Sequence, residues 1–257
     1  MDLVIVGAGR AAGSLALASL RAGHQLVGIL ARRPAGFGPA LDWETPLPAS
    51  DLVLVAVSDS AITEVAHRLA PHWRGRTPAV HLSGFTSIAA LDPIAALGAS
   101  TGSFHPLQSL PDPVRGSQAL GGAWAAITTS DPTLSELLHT FAASLEMRPF
   151  LLADGDKALY HAAASAAANY LVEALAVCRD LLEGADVPFA VMEPLARTVL
   201  GHVFETDPDT ALTGPIVRGD LPTVVGQIRA AQDLSPSLGR QFRLLAQATA
   251  ARVGLEL

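Results

Sequence analysis

Leu3-Val4-Ile5-Val6-Gly7-Ala8-Gly9-Arg10-Ala11-Ala12-Gly13 is the stretch that decides the fold of this chain. Four apolar residues without alternation, Leu3 to Val6, mark a strand buried on both faces of a parallel sheet. A helical pattern follows from about Ala11 to Arg21, and Ala22-Gly23 stops it. The small residues between strand and helix have separate tasks. Gly7 permits the tight turn, Gly9 lets a diphosphate approach the backbone, and Ala12 replaces a third glycine where helix and strand pack. Free N–H groups and the macrodipole at the helix start favour an anion there. Gly7, Gly9, Arg10, Ala11 and Ala12 therefore read as a dinucleotide site, against the alternative of a like-folded domain that has lost its ligand.

Working outward, the second strand, Leu26–Leu30, ends in Ala31-Arg32-Arg33. A site for NAD places an acidic side chain there to accept the ribose hydroxyls. Two guanidiniums stand in its place, and arginine binds phosphate through two parallel hydrogen bonds. The reading is NADP(H), with Arg32 and Arg33 on the 2′-phosphate; the competing one is two solvated loop arginines. Further strands follow at Leu52–Val57, Ala79–Leu82, a segment ending at Phe104, Ala123–Thr128 and Arg148–Leu151, with helical segments between them. That alternation predicts βαβ units and a doubly wound α/β Rossmann domain over residues 1–153. Ser58 and Ser83, in the loops leaving two of these strands, are ribose or nicotinamide contacts or else cap and turn residues.

Beyond Ala153-Asp154-Gly155 strand signals stop, and helical patterns run over about Asp156–Glu183, Phe189–Glu205, Leu221–Asp233 and Ser235–Val253. An all-helical domain over 154–257 is expected to complete the substrate site and to form a homodimer, because its helices are apolar on more than one face. With 50% apolar and 16% charged residues the chain is not disordered, and a net charge of −7 gives no reason to expect nucleic acid or an anionic membrane as partner. The run Ala162–Val177 is interrupted by Asn169 and Glu173, which reads as a buried helix and not a membrane span. Met1-Asp2 leads straight into a strand without a basic leader, so the expected location is cytoplasmic. The one cysteine, Cys178, excludes an intrachain disulfide and reads as a buried structural thiol. No histidines stand at metal-ligand spacing, and no metal is expected.

Of seventeen basic residues sixteen are arginine, and the one lysine is Lys157, in the first turn after the predicted sheet. Surface roles are served by either residue, but an ammonium able to release a proton near neutral pH is served only by lysine. His161 follows at i+4 on the same face, and Ser165 and Asn169 continue the stripe. The plainer reading is a chance survivor with a core histidine beside it. His105 stands in Ser103-Phe104-His105-Pro106-Leu107, in a loop leaving a strand; the proline holds it extended, fit for catalysis, substrate contact or a structural hydrogen bond. In Thr213-Gly214-Pro215-Ile216-Val217-Arg218-Gly219-Asp220, Arg218 either clamps a substrate carboxylate or pairs with Asp220 and braces the turn.

With these segments in view, the chain resembles a Rossmann-like family whose helical carboxyl-terminal domain is catalogued as a domain of unknown function. That family is a relative of ketopantoate reductase, pyrroline-5-carboxylate reductase and the β-hydroxyacid dehydrogenases. Dehydrogenases of this superfamily carry a lysine followed at i+4 by an asparagine. The lysine maps onto Lys157, whereas His161 stands at the asparagine position. The resemblance implies an NADP-dependent, nucleotide-binding reductase and makes a ketopantoate-type 2-oxo acid the first substrate to try. On this reading Lys157 stabilises and protonates the oxyanion, His161 and His105 assist, and Asn169 and Arg218 contact substrate. The alternative is a non-catalytic NADP(H)-binding sensor, which needs the glycine turn and the arginines but not Lys157. A helical interaction module with a vestigial Rossmann domain needs neither.

Overall fold

In the computed structural model, which describes residues 1–33 and 35–257, Leu3–Val6 lies in β1 (Asp2–Val6) with all four side chains fully buried. Leu3 and Ile5 point into one core, Val4 and Val6 into another on the opposite face, which is why the run shows no alternation. α1 (Arg10–Arg21) covers the first face, and α2 (Ile62–Leu69) the second. β2 (Gln25–Leu30), β3 (Leu52–Val55) and β4 (Ala79–His81) are parallel to β1 or to its neighbours. After α3 (Asp92–Ala95) come β5 (Thr101–Leu107), α4 (Pro113–Ala119), β6 (Trp124–Thr128), α5 (Pro132–Ser144) and β7 (Arg148–Leu151). The seven strands lie in the order β2-β1-β3-β4-β5-β6-β7.

Outside β2 the chain makes one parallel bridge, Ile29 with Ala40, in which Ile29 N–H donates to the Pro39 carbonyl at 2.7 Å and Leu41 N–H to the Ile29 carbonyl at 2.9 Å. The bridge stands where a further parallel strand would extend a doubly wound sheet. Two features depart from the sequence reading. β6 runs antiparallel to β5, because the connection through α4 brings the chain back at the end of the sheet where it left. β5 continues through His105, Pro106 and Leu107, so His105 is a strand residue. β4 pairs with β5 only as far as Ser103, so Pro106 lies beside β6 alone and its missing N–H faces no partner strand.

By its contacts the chain divides into Met1–Ser165 and Ala166–Leu257. The composition shifts a few residues earlier, at 153–155, but α6 (Lys157–Ser165) is tied to the sheet through Lys157 and Tyr160. In the second unit the helix expected over 156–183 is interrupted by a π-helical turn, Ala166–Tyr170, before α7 (Leu171–Gly184). α8 (Glu193–Glu205), the short α9 (Pro208–Ala211), α10 (Leu221–Leu234) and α11 (Pro236–Arg252) follow. Val224, Ile228 and Ala246 centre a small core in which α10 and α11 form a hairpin. The expected burial of Ala162–Val177 does not hold: Tyr170 is 68% and Val172 67% exposed, because the core of this unit collects on α10 and α11. Cys178 is likewise only half-buried. Among the described residues no helix is long and apolar enough to cross a membrane.

Candidate functional site

The parallel strands β1, β3, β4 and β5 end at one edge of the sheet, and the loops leaving β1, β3 and β4 carry Gly7 and Gly9, Ser58 and Ser83. A crevice of about 830 Å³ opens there, lined by Gly7, Ala8 and Gly9 and by Arg32 and Arg33. Gly7 has φ 129°, and a Cβ added to it would stand 2.2 Å from the Ala56 carbonyl oxygen, so only glycine serves. At Gly9 a Cβ would meet nothing within 4 Å: the space over this glycine is open. α1 starts there with no side-chain cap and no acidic residue in its first turn, leaving its N–H groups for an anion. These features fit the diphosphate of a dinucleotide. Ala12 is fully buried in the core, Ala11 is half-buried against it, and Arg10 is exposed and is not a wall of the crevice.

Beyond the two arginines the crevice has walls that sequence reasoning missed, Trp43 and Arg68. The Arg68 guanidinium lies 4.3 Å over the Trp43 ring and 3.3 Å from Glu44. The ion pair is exposed and worth little, while the stacking orients the guanidinium. Trp43 belongs to a Pro/Gly-rich loop and Arg68 to α2, and no periodicity links them. Ser58 also lines the crevice, and its side chain makes no cap hydrogen bond. Ser83 is instead a turn residue: its Oγ accepts from Phe85 N–H at 3.1 Å and Thr86 N–H at 2.8 Å, and lies 2.7 Å from Asp59 Oδ2.

Further along the same edge, Lys157 is 1% exposed, and its Nζ donates to the Ser83 carbonyl at 2.9 Å and to Ser103 Oγ at 2.7 Å. Burial pushes its pKa down to about 8, with Asp154 and Asp59 opposing. His81, wholly buried at the end of β4, accepts from Ser83 N–H through Nδ1 at 3.2 Å, while Nε2 finds no partner among the described residues. Burial first, then the Lys157 charge, brings His81 down to about 4. His105 Nδ1 lies 2.8 Å from Tyr160 Oη. His161 stands edge-on to His105 at 6.1 Å between ring centroids and to Phe85 at 6.0 Å. Burial, followed by His161 and Lys157, lowers His105 to about 4, and burial raises Tyr160 to about 12.

The structure thus gathers Ser83, His105, Lys157 and His161 and adds Tyr160, Ser103, His81 and Asp59. Tyr160 had a faint signal, lying at i+3 from Lys157 and next to His161. Asn169 falls in the exposed π-helical turn and Arg218 in an exposed turn, both in the second unit. Asp220 does not brace Arg218 in an ion pair: its carboxylate caps α10, accepting from Thr223 N–H and Oγ1. Among the described residues no group of three His, Cys, Asp or Glu side chains is placed to hold a metal ion.

Residues 123–249 match the model of a family described as a domain of unknown function, DUF2520. No curated protein matches the chain. Among solved structures, a Bacteroides fragilis protein described as a candidate NADP oxidoreductase is 24% identical, with 97% of this chain and 98% of that one aligned at a TM-score of 0.82. A Streptomyces aurantiacus imine reductase is 16% identical over 98% of both chains at 0.69. An Aspergillus terreus reductive aminase, in complex with NADPH and ethyl-5-oxohexanoate, is 14% identical over 100% of this chain and 96% of that one at 0.72. At these identities the likeness is one of fold.

Proposed function

From a chain that carries the DUF2520 domain and folds along its whole length like Rossmann-type oxidoreductases, we propose that this protein is an NADP(H)-dependent oxidoreductase reducing a small carbonyl or imine. The observation that carries the reading is the crevice joining the uncapped start of α1 to Arg32 and Arg33. Gly7, Gly9 and the first N–H groups of α1 would hold the diphosphate, Arg32 and Arg33 the 2′-phosphate, with Ser58 and Arg68 beside them. When bound, the reduced cofactor supplies a hydride. The Lys157 ammonium, fixed by Ser83 and Ser103, holds positive charge behind the edge where negative charge develops on a substrate oxygen. The His105 and His161 rings, 6.1 Å apart between centroids, would stand beside that substrate. The imine reductase and reductive aminase folds support including imines beside 2-oxo acids of the ketopantoate type. Asn169 and Arg218 remain the proposed substrate contacts, and their alanine variants should raise KM.

The test is fluorescence titration with NADPH and NADH, then NADPH oxidation with 2-oxo acids and cyclic imines. NADPH should bind more tightly by about 1–3 kcal/mol, the worth of a charge-assisted hydrogen bond, and Arg32→Ala with Arg33→Ala should erase most of that. Equal affinity for both cofactors in the wild type would remove the reading. One observation favours the sensor alternative: Lys157 is held under two oxygens and away from solvent. Tight NADPH binding without turnover of any compound in the panel would decide for it.

A further inference from the structure

The residue that the reduction needs and that Lys157 is poorly placed to be is the proton donor. A carbonyl oxygen that receives the electron pair of its former double bond must gain a proton, and the donor has to touch that oxygen. Lys157 is 1% exposed, and two of its three hydrogens point at the Ser83 carbonyl and Ser103 Oγ. Tyr160 and His105, by contrast, are only half-buried and are joined at 2.8 Å. Both stand at the carboxyl edge of the parallel strands, where β5 outlasts β4 and its last residues lie open on one side. Three strand spacings separate β1, with its diphosphate turn, from β5, about 14 Å along the edge. The His105 ring lies against Gly84, where an added Cβ would come within 2.8 Å of its Cε1. Tyr160 stands edge-on to it at 5.5 Å between centroids.

We infer that Tyr160 is the proton donor of the reduction and that His105 is its positioning residue. This rests on the oxidoreductase reading above. With its hydrogen on Nδ1, neutral His105 donates to Tyr160 Oη and leaves the phenol hydrogen free for substrate. As hydride from the reduced nicotinamide makes the new C–H bond, the C=O π pair moves to oxygen, the phenol O–H bond breaks and the product O–H bond forms. The cofactor leaves oxidised, and the tyrosinate, steadied by His105 Nδ1–H, regains its proton from water. The charged and titratable groups around the pair suit this: burial keeps Tyr160 protonated and His105 neutral at physiological pH, and the Lys157 cation further disfavours a charge on His105. His161 stands at its side, and the Asp59 carboxylate also acts on it.

Two measurements test the pair. In the full chain, with ketopantoate, 2-oxobutanoate and 1-pyrroline as probes, Tyr160→Phe should lower kcat by about 10²-fold or more. Its NADPH dissociation constant, read by fluorescence, should stay within about twofold, since the phenol lies outside the crevice walls. Retention of wild-type kcat within about threefold would overturn the inference and leave the oxidoreductase reading standing. Failure of the wild type to bind NADPH would overturn both. The second measurement needs no turnover. The chain has two tyrosines, so Tyr170→Phe leaves Tyr160 as the single phenol and its ionisation can be followed by absorbance. Replacing His105 by Phe in that background should move the titration upward, because the phenolate loses its donor. An unmoved titration would overturn the pairing whatever the kinetics.

Discussion

Lys157 meets a carbonyl and a hydroxyl in a slot closed to solvent, and the chemistry of that slot accounts for the one lysine in an arginine-rich chain. A guanidinium is longer, planar, carries five donors and stays charged, whereas an ammonium is compact and can lose its proton. Burial lowers the pKa from 10.5 to about 8, so between those values the folded chain holds fewer protons than the unfolded one. Stability from this group therefore rises with pH through that window, and the cost of the buried charge is fully present below it. At about 1.4 kcal/mol per pKa unit the wild type should gain about 3 kcal/mol over Lys157→Met between pH 7 and pH 10.5, read from urea unfolding. A difference that stays flat with pH would show that the lysine is not buried as described. Lys157 and His161 were legible from a count and a spacing. Tyr160 was not, because a phenol beside alanines looks the same whether it packs or donates.

Among the elements, the glycine turn separates two effects that sequence alone merges. Gly7→Ala should cost about 3 kcal/mol or more of folding stability, since a left-handed φ and a carbonyl contact both oppose a Cβ. Gly9→Ala should leave the melting temperature nearly unchanged while weakening NADPH binding, because its Cβ enters open space. Equal losses of stability in the two variants would contradict this geometry. The strands were legible because a run buried on both faces is uninterrupted, as in β1 and β3. Their directions were not: a fully buried strand carries no mark of orientation, and β6 turned out antiparallel. His105 and Pro106 read as a loop beyond a strand ending at Phe104, although β5 carries Pro106 where only one neighbour remains. The π-helical turn at Ala166–Tyr170 was hidden for a similar reason, since a shift of register leaves an alanine-rich pattern looking the same.

For the whole molecule, the surface of the helical unit asks for a partner. α8 has no buried side chain, yet it carries Leu195 at 61%, Val199 at 46% and Phe204 at 86% exposure. Apolar side chains in such number along one helix mark an interaction surface, and a second copy of this chain is the proposed occupant. Light scattering at micromolar concentration should give a dimer, Phe204→Glu should shift it toward monomer, and a monomeric wild type would end the idea. The end of the strands near residue 153 was legible in composition. The seating of α6 with the sheet was not, since it depends on Lys157 and Tyr160 reaching residues far away in the chain. That seating has a practical corollary. Among 257 residues there is one side-chain amine, and the fold keeps it dry. An acylating reagent reaches it only while α6 is lifted from the sheet, so the rate of its labelling is a clock for that opening, and the arginines that crowd the surface are silent to it.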